Sequence, residues 1–127
     1  MAKLRIKRVY EAPAKADGKR ILVDRLWPRG MTREAVRIDH WARDVAPSNE
    51  LRQWYGHEPK KWPDFRKRYF AELDANGDGV AALREALGSG TATLLFQSKE
   101  EELNNAVALL DYLEGPARNP ARNRARK

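Results

Sequence analysis

A chain of 127 residues with 42% hydrophobic residues, four tryptophans and no cysteine is long enough for one domain that buries roughly two-thirds of its unfolded surface. The missing cysteine excludes disulfide scaffolding, thiolate nucleophiles, CxxC redox chemistry and thiolate-bound zinc or iron–sulfur clusters. The net charge of +7 is uneven: residues 115–127, GPARNPARNRARK, carry Arg118, Arg122, Arg124, Arg126 and Lys127 and no acid, which leaves about +2 for residues 1–114.

The first ten residues, MAKLRIKRVY, lack the apolar core of a signal peptide. No apolar run approaches the ~20 residues of a membrane span, so a soluble, cytoplasmic protein with no membrane partner is expected. Leu4 to Tyr10 alternates apolar and basic residues, the period of a half-buried strand. Residues 11–19 are punctuated by Pro13 and Asp17-Gly18 and read as a loop, short enough for a hairpin or an abbreviated crossover. Arg20 to Asp24 holds a continuous Ile-Leu-Val run, which predicts a second strand covered on both faces. Pro28 and Gly30 stop it.

Ile38, Trp41 and Val45 share a helical face, so a helix is expected over 38–45. Ser48 can cap a short helix running to Tyr55. Pro63 suits the first turn of another, with Phe65, Tyr69 and Leu73 on one stripe. Val80 to Leu87 reads as a short helix stopped by Gly88. Thr91 to Gln97 is a β-rich run and the third strand. Ser98 and Glu101 form a capping box for a last helix whose buried stripe would be Leu103, Val107, Leu110 and Leu113. Strands separated by helices predict a single layered α/β domain over residues 1–114, with a small three-stranded, mainly parallel sheet flanked by helices. Residues 115–127 read as a disordered basic tail that adds non-specific attraction to nucleic acid.

The stretch DGKRILVDRLWPRG, residues 17–30, carries the most chemistry. Asp24 and Arg25 follow an apolar strand at its carboxyl end, where open α/β sheets tend to bind ligands. Arg25 and Arg29 suit a phosphate or carboxylate clamp through bidentate guanidinium bonds, and Trp27 suits a stacking surface. Asp24 suits a base, an arginine-orienting group or a metal ligand; the alternative is a buried Asp–Arg pair with Trp27 in the core and Pro28-Arg29-Gly30 as a turn. Ser98 and Lys99, with Asn104 or Asn105 one turn on, would meet Asp24 if the second and third strands are adjacent and parallel. His57 sits in a Gly-His-Glu-Pro turn near Arg52 and Trp54 and is a second candidate base. No HxH or HExxH spacing points to a metal centre and no GxSxG elbow to a serine nucleophile.

Residues 74–85, DANGDGVAALRE, match the EF-hand pattern D-x-[DN]-x-[DN]-G-x5-E at every ligand position. Against calcium binding stand the Gly88 stop soon after Glu85, Ala81 at the eighth position, and the absence of a second such loop.

From DGKRILVDRLWPRG the chain resembles the YeaO-like branch of the family called domain of unknown function 488. The likeness continues through Ile38-Asp39-His40-Trp41-Ala42, Pro47-Ser48-Asn49-Glu50-Leu51-Arg52, Phe65-Arg66-Lys67-Arg68-Tyr69 and Thr93-Leu94-Leu95-Phe96. The resemblance implies a small bacterial α/β protein, and it implies a parallel sheet through a helix that the other branch keeps between its first two strands. That branch has cysteines at the end of the third strand; Gln97-Ser98 stand there in this chain, so thiol catalysis does not carry over. Where the YeaO-like branch reads Tyr-Ser-Ala-Lys, this chain reads Phe96-Gln97-Ser98-Lys99, with the serine displaced by one position.

The expected function is binding of a phosphorylated small molecule or nucleic acid at the ends of the second and third strands. Arg25, Trp27, Arg29, Arg52, Trp54, Ser98, Lys99 and Asn104 would bind it. If the protein hydrolyses a phosphodiester, Asp24 or His57 would be the base. The alternatives are a non-catalytic binding or regulatory module and, more remotely, a calcium-binding protein. No cofactor and no oligomeric state can be read from the residues.

Overall fold

The computed structural model describes residues 3–115, so the basic tail expected over residues 115–127 lies, but for Gly115, outside the described residues. Four strands form one sheet: β1 (Lys3–Arg8), β2 (Lys19–Leu22), β3 (His40–Trp41) and β4 (Thr91–Phe96). Their order is β1-β4-β2-β3 and every pairing is parallel. Among the described residues five α-helices accompany them: α1 (Arg33–Val36), α2 (Asn49–Tyr55), α3 (Trp62–Asp74), α4 (Gly77–Leu87) and α5 (Asn105–Glu114). The expected parallel α/β layer is the architecture found, with four strands where three were expected.

The Ile-Leu-Val run behaves as its composition predicts. Ile21 and Val23 sit in the larger core with α2 to α5, whereas Leu22 joins Leu95, Val9 and Val36 in a smaller core on the opposite face. All three are fully buried, each stabilising the fold by roughly 1.5–3 kcal/mol relative to an exposed side chain. The link from β1 to β2 is an abbreviated crossover containing only a short 3-10 turn, Lys15–Asp17. It closes on Gly18, whose φ of 63° and 2.1 Å distance from an added Cβ to the Thr91 carbonyl oxygen leave room for glycine alone. Asp17 is buried beneath this turn, with its carboxylate on the Lys7 ammonium and the Arg20 guanidinium.

β3 was not foreseen. Residues 38–45 have helical apolar spacing, but His40–Trp41 pairs with β2, and the Asp39 and Ala42 N–H groups donate to the Arg20 and Leu22 carbonyls at 2.7 and 2.8 Å. The open edge of β2 supplies hydrogen bonds that outweigh local periodicity. A 3-10 turn, Arg43–Val45, is all that remains of the expected helix.

α2 and α3 match expectation. Ser48 caps α2 by accepting the Leu51 N–H, and its hydroxyl donates to Glu72 at 2.6 Å, tying α2 to α3. Phe65, Tyr69 and Leu73 form the buried stripe of α3. α4 starts three residues before the expected Val80, capped by the Asn76 side chain on the Gly79 N–H. This corrects the calcium alternative: Asp74 ends α3 and Gly77 opens α4, so residues 74–85 are mostly helix rather than a ligand loop. The Asp74 carboxylate accepts the Tyr112 hydroxyl proton and the Asn76 amide donates to the Asp44 carbonyl.

The last helix also starts elsewhere. Asn104, not Ser98, is its cap and accepts the Val107 N–H at 3.0 Å. Ser98 instead closes a local turn by accepting the Glu100 N–H. The later start rotates the buried face, which is Ala106, Ala108, Leu109, Tyr112 and Leu113.

Candidate functional site

β2 and β4 run side by side, with Ile21 opposite Leu94, and their carboxyl ends share one edge. The pairing extends one bond past the strand, since the Val23 N–H donates to the Leu95 carbonyl at 3.1 Å. At the next position a carboxylate replaces the ladder. Asp24 Oδ2 accepts the Gln97 backbone N–H at 2.8 Å, and Oδ1 accepts the Asn105 amide at 2.9 Å. Asn105 also donates to the Val23 carbonyl, which pins the first residue of α5 to the end of β2. The apolar strand therefore ends in a half-buried acid held by neutral donors.

Burial raises the Asp24 pKa above the ordinary aspartate value, and the bonds from Asn105 and Gln97 and the charge of Arg52 offset this only in part. Asp24 forms no ion pair with any described lysine or arginine. Arg25 is turned away from it: its guanidinium donates to the Pro47 and Ala46 carbonyls at 3.2 and 3.1 Å. Asp24 and Arg25 do not pair with each other; the buried Asp–Arg pair of this stretch is Asp17–Arg20.

Asp24 and Asn105 line a cleft of about 240 Å³. Its apolar side comes from the buried rings of Tyr55 and Phe65, stacked with centroids 4.4 Å apart. The Tyr55 hydroxyl donates to the Leu103 carbonyl at 2.8 Å, fixing that ring, and burial raises its pKa. Solvent-facing Arg52 and His57 also line it, as does Ser98. Arg52 is held only by the side-chain oxygen of Asn49, at 3.0 Å, so its charge is not neutralised by a carboxylate among the described residues. His57 follows the left-handed cap Gly56 and itself adopts φ 60°, a conformation uncommon outside glycine. Near it, Glu100 is held below the ordinary glutamate range by the N–H groups of Glu102 and Leu103, with a contribution from His57.

Of the residues singled out from the sequence, Asp24, Arg25, Arg52, His57, Ser98 and Asn104 line this cleft. Trp27, Arg29, Trp54 and Lys99 do not. Trp27 belongs to the core on the other face of the sheet, edge-on to Trp41, with its indole N–H on the Met31 carbonyl. Trp54 is flanked by Arg68 and Lys61, at 4.0 and 5.0 Å from the ring centre. Arg29 and Lys99 are exposed. Sequence reasoning did not single out Tyr55, Phe65 or Gln97 as site residues, and it offered Asn105 only as an alternative to Asn104. The apolar spacing of Phe65 marked it as core, and nothing local distinguishes a core ring from a cleft ring. Among the described residues no group of three or more His, Asp or Glu side chains is placed to hold a metal ion. No described helix is long and apolar enough to cross a membrane.

A parallel sheet, layered with helices and with a cleft where its two central strands end, defines a small α/β protein. The chain belongs to the DUF488 family, as a YeaO-like member: the family model described as "Inactive DUF488-N3 subclade" matches residues 3–126. It is 38% identical over 113 residues to the uncharacterized protein Rv3073c of Mycobacterium tuberculosis, covering 89% of this chain and 95% of that one. It is 37% identical over 110 residues to the uncharacterized protein YeaO of Escherichia coli K12, covering 87% and 96%. No solved structure matches it.

Proposed function

We propose that this protein is a non-catalytic binding module for a small phosphorylated molecule, held in the cleft at the ends of β2 and β4. The observation that carries this reading is the convergence of Arg52, His57 and Ser98 on one cleft whose other side is aromatic. An exposed guanidinium without a carboxylate partner suits a bidentate phosphate contact. The Tyr55–Phe65 wall suits the remainder of a small organic molecule. At about 240 Å³ the cleft favours a small molecule over a long nucleic-acid strand, and the near-balanced charge of residues 1–114 points the same way.

Binding is preferred to hydrolysis because the matching family model is described as an inactive subclade. Calorimetric titration with inorganic phosphate, O-phosphoserine and ribose 5-phosphate tests the reading. At least one organic phosphate should bind, and Arg52→Gln should weaken it by ten-fold or more. An absence of binding across this panel at low salt would overturn it.

A further inference from the structure

Phosphate recognition uses the Arg52 side of the cleft and leaves its most unusual group without a task. Asp24 is a half-buried carboxylate that lines the cleft, and among the described residues it accepts hydrogen bonds only from neutral donors, those of Gln97 and Asn105. A charge taken out of water without an ionic partner is costly, and folded proteins rarely keep one that serves nothing. The nearest candidate partner in sequence, Arg25, is committed to the Ala46 and Pro47 carbonyls and cannot turn back without losing both. Each carboxylate oxygen can accept two hydrogen bonds, so the Gln97 N–H and the Asn105 amide do not exhaust the acceptor capacity of Asp24.

We propose that the ligand of this cleft is bipolar, carrying an amine or amidine nitrogen that donates to Asp24 as well as the phosphate received by Arg52. This rests on the binding reading above and specifies its ligand. The nitrogen fills the open acceptor capacity of a carboxylate set in a partly apolar surround, where a charge-assisted bond gains strength. Gln97 and Asn105 hold the carboxylate in one orientation, so no reorganisation is needed when the ligand enters. Arg52 is near enough to influence Asp24 without pairing with it, so the two opposite charges stay separate until a ligand spans them.

The test compares ω-aminoalkyl phosphates of two to four carbons with alkyl phosphates of the same length, by calorimetry on the full chain. At least one aminoalkyl phosphate should bind ten-fold or more tightly than its amine-free counterpart, and Asp24→Asn should abolish that preference. Arg52→Gln should weaken both members of the pair and keep the preference. A carbon-detected NMR titration of the Asp24 carboxyl in unsubstituted protein reads the same contact independently of how well the Asp24 variant folds. The amine probe should move the carboxyl midpoint downward and the alkyl probe should not. Equal binding of both members, with no movement of the midpoint, would overturn the bipolar ligand and leave phosphate binding standing. If neither member binds and the phosphate panel also fails, both readings fall.

Discussion

The side-chain amide of Asn105 donates to Asp24 Oδ1 at 2.9 Å and to the Val23 carbonyl at 3.1 Å. One residue thus locks the start of α5 to the end of β2 and satisfies half of a buried carboxylate. Truncating it strands both acceptors. Asn105→Ala should destabilise the fold by about 1–3 kcal/mol, the range for leaving buried polar groups without a partner. Urea denaturation would measure this, and a change below about 0.5 kcal/mol would mean that the contact is not formed in solution.

Asp24 makes stability depend on pH in an unusual direction for an acid. Its folded pKa lies above the ordinary 3.8 because burial disfavours the charged form. Between the two values the folded chain holds the proton more tightly than the unfolded one, so this group's contribution falls as pH rises through that window. The stability of the protein relative to Asp24→Asn should therefore be greatest at the acid end and decline as Asp24 ionises. Denaturation curves for both proteins at several pH values between 3.5 and 7 provide the check. A difference that grows with pH would show that the fold favours the carboxylate.

Asp17 behaves oppositely. Burial alone would raise its pKa, but the Ala14 N–H and the Lys7 and Arg20 side chains together hold it below 3.8. Its contribution is complete above that value and is lost as pH falls through the folded pKa. Asp17→Asn should cost about 3–5 kcal/mol near neutrality, because it leaves the buried Arg20 charge uncompensated. As pH falls through the folded Asp17 pKa the substituted and original proteins should converge in stability, as followed by circular dichroism.

Gly18 closes the crossover from β1 to β2. With φ at 63° and no space beside the Thr91 carbonyl, Gly18→Ala should lower stability by more than about 1 kcal/mol. Gly30→Ala is the control: its φ is 79° but an added Cβ meets nothing within 4 Å, so it carries only the conformational part of the cost. Thermal melts should rank Gly18→Ala below Gly30→Ala. The reverse order would place the close approach elsewhere.

The residues disclosed the fold wherever side-chain pattern and tertiary demand agreed. Ile21-Leu22-Val23 announced a strand with two covered faces, and Pro63 with the Phe65–Tyr69–Leu73 stripe announced α3. They misled where an outside partner decided. Ile38, Trp41 and Val45 have helical spacing, but the free edge of β2 takes His40–Trp41 into the sheet. Ser98 and Glu101 have capping-box spacing, but the helix begins at Asn105, capped by Asn104, with the Asn105 amide bonded to Asp24. At the cleft, Asp24, Arg52 and His57 were visible as polar residues at strand and turn ends. The roles of Tyr55 and Phe65 were not, since a ring on an apolar stripe looks the same whether it faces a core or an opening. Trp27 and Trp54 show the converse: aromatic residues beside arginines in sequence are turned in space to pack against Trp41 and to lie near Lys61 and Arg68.

Nitrogen–proton correlation spectra recorded during titration with the tightest-binding organic phosphate test most directly whether the cleft is the working site. Backbone signals of Gln97, Ser98 and Asn105, with those of Arg52 and His57, should shift together and saturate at one dissociation constant. Shifts confined to Arg29, Lys99 or the surface around Trp54, with the cleft signals unmoved, would contradict it.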